Sequence, residues 1–232
     1  MKYSLVIPCY NEEKALPELA ERCLLLVNQA DIEVIFVDNG SVDDSARVLT
    51  SIADASPGFR VVAVPVNRGY GHGIVSGLRS SMGDVVGWSH ADLQTDPRDV
   101  LIAIALFERY GMDIFVKGRR FGRPIADVGF TVGMSIFETA LLRKQLWDIN
   151  AQPTMFSRSF FESWVNPPQD FSLDLYAYYL ARFQGLPIHR FPVRFGDRVH
   201  GSSHWNVNWT AKGKFVRRTV NYSIEMRRTL GS

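Results

Sequence analysis

Cysteine is scarce: the chain has two, Cys9 and Cys23, in 232 residues. Their spacing fits no metal site, so both read as reduced thiols, one at a strand end and one on a helix face, which points to the cytoplasm. No Pro/Gly/Ser-rich linker interrupts the apolar residues, and there is no internal repeat or low-complexity segment, so one globular α/β unit is expected. No apolar run is long enough to span a bilayer, and the N-terminus opens directly on a strand, so neither a transmembrane helix nor a signal peptide is expected. Charge of one sign is also lacking. A formal net charge of +2 leaves recognition of a charged partner to local patches.

What is present is a series of apolar strands, each ending in a polar loop. Tyr3–Pro8 runs into Cys9-Tyr10-Asn11-Glu12-Glu13, and a helix is expected from Ala15 to Asn28. Glu33–Val37 runs into Asp38-Asn39-Gly40-Ser41-Val42-Asp43, with a helix from Ala46 to Ala53 that Ser41 or Asp43 would cap. Arg60–Val64 leads to Asn67-Arg68-Gly69-Tyr70-Gly71-His72-Gly73 and a helix from Ile74 to Met82. The glycines there suit phosphate binding but match neither the phosphate-loop lysine signature nor a dinucleotide fingerprint. Alternating strands and helices predict parallel winding, with ligands bound at the carboxyl ends of the strands.

The densest stretch is Val85–Pro97, an apolar strand running into His90, Asp92, Gln94 and Asp96. In extended backbone His90, Asp92 and Gln94 would share one side, a plausible oxygen-rich seat for a divalent cation. Alternatively Asp92 merely caps a turn, and Asp96 before Pro97 is a ready N-cap. A further strand, Asp113–Val116, delivers the basic loop Lys117-Gly118-Arg119-Arg120-Phe121-Gly122-Arg123-Pro124, whose guanidiniums suit phosphate oxygens. The segment Asp127–Leu142 is apolar on nearly every side, which fits core packing. Asp148 and Gln152 lie in a polar stretch inside an apolar frame, readable as a helix-terminal turn. A helix over Leu173–Phe183 and a strand over Ile188–Phe195 follow, then Arg198, His200, Ser203 and His204. The glycine and serines between His200 and His204 disfavour a zinc-binding helix.

Together, Pro8-x-Tyr10-Asn11-Glu12, Asp38-Asn39-Gly40-Ser41-x-Asp43, Asn67-x-Gly69-x-Gly71 and Ala91-Asp92-Leu93-Gln94-x-Asp96-Pro97 resemble glycosyltransferase family 2. The subgroup they resemble is the polyprenyl-phosphate enzymes of the dolichol-phosphate mannose synthase type. The resemblance runs from about residue 1 to 206. It implies a GT-A fold, a mostly parallel α/β sheet flanked by helices, over 1–210, with 211–232 as a basic amphipathic tail. It implies inverting transfer of a sugar from a UDP- or GDP-sugar to a polyprenyl phosphate at the inner membrane face.

By the same resemblance Pro8, Tyr10 and Glu12 line the nucleoside pocket, Asp38 binds base or ribose, and Asn67, Gly69 and Ala91 complete the nucleotide contacts. Asp92 and Gln94 would hold Mg²⁺ or Mn²⁺, with His90, where an aspartate is usual, as a third ligand or a hydrogen-bonding group behind them. Arg119 joins Asp92, Gln94 and Asp148 in the catalytic set, and Lys117, Arg119, Arg120, Arg123, Gln152, Arg198, Ser203 and His204 face the phosphates or the acceptor. The resemblance also adds partial insertion in a lipid interface as a second reading of Asp127–Leu142, and an acceptor-side reading of Asp148 and Gln152. His204 stands where lysine is usual, which predicts higher activity at slightly acidic pH. The tail, with Lys212, Lys214, Arg217, Arg218, Arg227 and Arg228, suits anionic headgroups better than nucleic acid, so a peripheral membrane protein, anchored alone or by a protein partner, is expected. Two rival readings are transfer to a saccharide hydroxyl, with Asp148 as base, and a non-catalytic nucleotide-sugar binder.

Overall fold

The computed structural model describes residues 2–198 and 209–230. Its centre is a seven-stranded sheet in the order β3-β2-β1-β4-β6-β5-β7. The strands are β1 (Tyr3–Cys9), β2 (Ile32–Asp38), β3 (Phe59–Ala63), β4 (Val85–Trp88), β5 (Phe115–Phe121), β6 (Thr154–Ser157) and β7 (Ile188–Arg194). All pairings are parallel except those of β6, which runs antiparallel to both β4 and β5. The expected mostly parallel α/β sheet is therefore present.

Strands buried on both faces need apolar side chains at nearly every position, which is why β1 and β2 read as continuous runs rather than as alternations. Leu5, Ile7, Val34 and Phe36 point into one core. There they meet α1 (Leu16–Gln29) and α4 (Val100–Tyr110). Val6, Ile35 and Val37 point into the other, with α3 (Tyr70–Ser80), α7 (Ser172–Phe183), Trp88 and Phe156. Helix α2 (Ser45–Asp54) covers β3, and a 3-10 turn at Pro97–Asp99, capped by the Asp96 carboxylate on the Arg98 amide, opens α4. Helix α5 (Ile125–Leu142), the short α6 (Arg158–Glu162) and α8 (Trp209–Leu230) complete the chain.

Several expectations change. The glycines at 71 and 73 lie inside α3, which begins at Tyr70 rather than Ile74. Strand β5 continues to Phe121, so the basic residues 117–120 stand on a strand and alternate between its faces, instead of sharing a loop. Strand β6, hidden in the polar stretch after Asp148, was not anticipated at all. Helix α8 lays Thr219, Ser223 and Met226, all buried, toward α5 and α7, with Arg217, Arg218, Arg227 and Arg228 exposed.

Beside β1 the connections run to β2 on one side and reach β4 on the other, so the chain reverses direction across the sheet between β1 and β4. A crevice opens at such a reversal, at the carboxyl ends of the strands.

Candidate active site

The loops after β1, β2 and β3 are woven into one edge. The Asn11 amide donates to Ser41 Oγ (3.1 Å), the Val42 amide to Asn11 Oδ1 (2.9 Å), and the Glu12 amide to Ser45 Oγ (2.9 Å). Asp38, nearly buried, accepts from the Ser41 amide (3.0 Å), and Asn39 Nδ2 donates to the Gly69 carbonyl (3.0 Å). Gly40, at φ +74°, lies so close to the Asn67 backbone that a Cβ would fall 2.5 Å from its nitrogen. Asn67 Oδ1 accepts from the Gly69 amide (2.8 Å), which turns the chain into α3. Pro8 belongs to β1, while Tyr10 and Asn67 are exposed at the rim.

After β4 the backbone is bent rather than extended, with Leu93 at φ 58°. The period-two argument that aligned His90, Asp92 and Gln94 fails there. Instead Asp92 Oδ1 accepts from the Gln94 amide (3.2 Å), and Gln94 Nε2 donates to the Gly196 carbonyl (3.2 Å), tying this turn to the loop after β7. The His90 ring stacks on Tyr70, centroids 5.7 Å apart, and Tyr70 stacks on Phe171 at 4.7 Å. Ala91 is buried in the core that α1 and α4 share. Arg198 reaches back into the crevice, with Nη2 3.1 Å from Asp92 Oδ2 and Nη1 3.7 Å from Glu12 Oε1. Burial pushes the Glu12 carboxyl up to about 6, the Arg198 charge pulls it down, and the Asp92 and Asp43 carboxylates push it up again.

Among the described residues no group of three or more His, Cys, Asp or Glu side chains forms a metal cage. A cation at a phosphate-transfer edge does not need one, because one or two carboxylates plus substrate phosphates complete its shell. Asp92, with only 11% of its side chain exposed and already facing a cationic guanidinium, fits that arrangement. Gln94 Nε2 donates to the Gly196 carbonyl, which fixes the side chain and leaves Oε1, the atom through which an amide ligates, for a cation beside Asp92.

On the other side of the sheet reversal stands a second charged cluster. Asp148, buried and at φ 48°, accepts from the Arg120 amide (2.8 Å) and from Arg120 Nε (2.9 Å). Arg123 and Arg190 lie 3.5 and 3.8 Å from the same carboxylate. Burial would raise the Asp148 carboxyl, but the Arg120 charge and hydrogen bonds, aided by Arg123, hold it below the ordinary carboxylate range. Arg119 is exposed on β5 and takes part in no ion pair among the described residues.

A family model for glycosyl transferase family 2 matches residues 4–162, more than half of the chain. The chain belongs to glycosyl transferase family 2. Its fold is that of GT-A enzymes. Glucosyl-3-phosphoglycerate synthase from Mycobacterium tuberculosis, solved with Mn²⁺, UDP-glucose and phosphoglyceric acid, superposes with a TM-score of 0.70 at 20% identity, covering 99% of this chain and 80% of that one. In sequence, the undecaprenyl-phosphate 4-deoxy-4-formamido-L-arabinose transferase of Sodalis glossinidius is 47% identical over 103 residues, 43% of this chain and 31% of the relative. The same-named protein of Proteus mirabilis is 39% identical over 123 residues, 51% of this chain and 37% of the relative. The match thus spans about a third of the length of these curated relatives.

In this family 2 chain Pro8, Tyr10, Glu12, Asp38, Asn67, Gly69, Ala91 and Asp92 lie along one edge of the sheet, in or after β1, β2, β3 and β4, with Arg198 reaching back to Glu12 and Asp92. Lys117 departs from the expected phosphate contact. It is fully buried, and Nζ donates to the Ala151 carbonyl (2.7 Å) and Thr154 Oγ1 (2.8 Å), so it braces the floor. Burial lowers its ammonium to about 7, against the opposing charge of Asp174. Gln152 is likewise buried, donating to Asp174 Oδ1 (2.6 Å). Arg120 and Arg123 meet Asp148 before they meet any ligand. Ser203 and His204, and with them the His200 reading, lie outside the described residues. Arg190 and Tyr70 were missed. Arg190 lies within the expected strand Ile188–Phe195 and Tyr70 among the glycines before the expected helix, and neither was given a role from the sequence.

Proposed function

We propose that the chain transfers a sugar from a nucleoside diphosphate sugar to a polyprenyl phosphate, with inversion, at the cytoplasmic face of a membrane. The observation that carries the choice of acceptor is the state of Asp148. A hydroxyl acceptor needs a base, and the carboxylate expected to serve is buried, ionised and held at low basicity by guanidiniums. A phosphate monoester is already an anionic nucleophile at neutral pH and needs no base. The names of the curated relatives, undecaprenyl-phosphate sugar transferases, support the same acceptor class.

In this reading Tyr10, Glu12 and Asp38 hold the nucleoside at the edge of β1 and β2, and Asn67 and Gly69 shape the neighbouring wall. Asp92 would hold a divalent cation, Mg²⁺ or Mn²⁺, which when bound would neutralise the leaving diphosphate; Mn²⁺ and UDP-glucose accompany the solved M. tuberculosis enzyme. His90, stacked on Tyr70, shapes the sugar side of the crevice instead of ligating. Arg119, Arg120 and Arg123 supply positive potential where the acceptor phosphate enters, with Asp148 fixing the orientation of the last two. The acceptor oxygen forms a bond to the anomeric carbon as the bond to the diphosphate oxygen breaks. The protein's work is alignment and charge neutralisation.

The test is transfer of labelled sugar from UDP- and GDP-sugars with Mn²⁺ or Mg²⁺, offered a polyprenyl phosphate or a soluble saccharide. Label in a solvent-extractable, mild-acid-labile product is the expected result. Label appearing only in the saccharide would replace this reading with hydroxyl transfer, and tight nucleotide binding without either product would replace it with the non-catalytic one.

A further inference from the structure

Arg198 is held in the crevice from two directions. Its guanidinium lies against Asp92 (3.1 Å) and Glu12 (3.7 Å). Two residues earlier, the Gly196 amide donates to the Gln94 carbonyl (2.8 Å) while Gln94 Nε2 donates to the Gly196 carbonyl (3.2 Å). This reciprocal pair clamps the loop after β7 onto the turn that carries Asp92. The ion pair is three-quarters or more shielded on both sides, with 25% of the Arg198 side chain and 11% of the Asp92 side chain exposed. It is screened less than a surface pair.

A divalent cation ligated by Asp92 would have to approach the same carboxylate. Two cations repel at that range unless further negative charge arrives with one of them. A nucleoside diphosphate brings such charge, with enough oxygens to serve a metal and a guanidinium together. We propose that Arg198 is a resident counter-ion, which bars divalent metal from Asp92 in the donor-free protein and releases it when a diphosphate enters, so that metal and nucleotide load as a pair. The inference rests on the assignment of Asp92 as the metal carboxylate in the proposed function. It adds that the arginine is a gatekeeper for the metal as well as a phosphate contact.

Mn²⁺ binding, followed by loss of the free-ion paramagnetic resonance signal, tests this with and without UDP or GDP in the wild type, Arg198→Met and Arg198→Lys. The wild type should bind Mn²⁺ weakly alone and far more tightly with one of the nucleotides. In Arg198→Met, Mn²⁺ alone should bind more tightly by up to about fivefold, the scale of one lost ion pair, and the gain on adding nucleotide should shrink. Arg198→Lys should fall between the two, and decides the matter by itself should the methionine variant fail to fold. Unchanged or weaker binding of Mn²⁺ alone in the variants, with nucleotide-dependent binding intact in the wild type, overturns the gatekeeper and leaves the donor site standing. No Mn²⁺ binding by the wild type even with nucleotide overturns the donor-site assignment itself.

Discussion

Replacing Asp148 with asparagine leaves Arg120, Arg123 and Arg190 crowded together around a neutral amide. Removing one partner of a buried ion pair costs about 3–5 kcal/mol, because the remaining charge stays desolvated. Urea unfolding at pH 7 should therefore show a loss in that range for Asp148→Asn, and a loss below about 1 kcal/mol would mean the cluster is effectively solvated. The pH dependence follows from the depressed carboxyl. Its folded value lies below the unfolded one, so its contribution is complete above the unfolded value, near 4, and disappears as pH falls through the folded value. Lys117 works in the opposite range. Burial lowers it to about 7, whereas an unfolded lysine titrates near 10.4, so between those values the unfolded chain binds the extra proton and stability rises with pH. Denaturation curves between pH 7 and 10 should show this rise in the wild type and its loss in Lys117→Met. An identical slope in both proteins would show that the ammonium remains charged in the fold.

At the scale of elements, β1, β2 and β4 were legible because a strand buried on both faces has no choice but an apolar run, and the polar loops after them announce the edge that binds ligand. Strand β6 was not legible. Its four residues, Thr154–Ser157, follow a polar segment, and their burial comes from pairing with β4 and β5 on either side, which no local pattern encodes. The same limit applies to the site. The residues expected on the donor side lie in or within a few residues of the strand ends, so their placement along one edge was readable in the sequence, while the share of Arg120, Arg123 and Arg190 in a single carboxylate depends on β5, β7 and the turn before β6 meeting in space. Helices α5 and α8 carry a titratable contact of their own. Glu138 on α5 is fully buried near Ser223 of α8, and burial pushes its carboxyl up to about 7 with only a modest opposing pull from that serine. The folded form favours the protonated acid, so stability from this group is complete below the unfolded value near 4.3 and declines as pH rises toward 7. Limited proteolysis of the α8 region should thus accelerate between about pH 4.5 and 7, the span between the unfolded and folded values, in the wild type and stay level in Glu138→Gln. Equal rates for the two proteins across that range would remove Glu138 from the docking of α8.

At the scale of the whole molecule, a formal net charge of +2 conceals an uneven surface. Arg217, Arg227 and Arg228 are exposed on α8, and Arg218 beside them pairs with Asp170 at 2.9 Å. Ile136 and Phe137 of α5, the helix against which α8 packs, are exposed at 61% and 40%, far more than core positions allow. No described helix is long and apolar enough to cross a membrane. An apolar strip beside a basic helix instead gives two weak signals for an anionic lipid surface, and stable attachment takes two such signals together. The 232-residue chain should float with vesicles containing anionic lipid, float poorly with neutral ones, and be released by high salt. Arg227→Ala with Arg228→Ala should weaken flotation by about 1 kcal/mol for each arginine. Ile136→Ser with Phe137→Ser should weaken it even at low salt, where arginine contacts are strongest. Since the proposed nucleotide site lies among the loops after β1, β2, β3 and β4 and at Arg198, rather than on α5 or the end of α8, all four substitutions should leave the nucleotide-induced rise in melting temperature unchanged. Flotation with neutral vesicles as strong as with anionic ones would assign the attachment to α5 alone, and no flotation at all would remove this surface as the route to the proposed lipid acceptor.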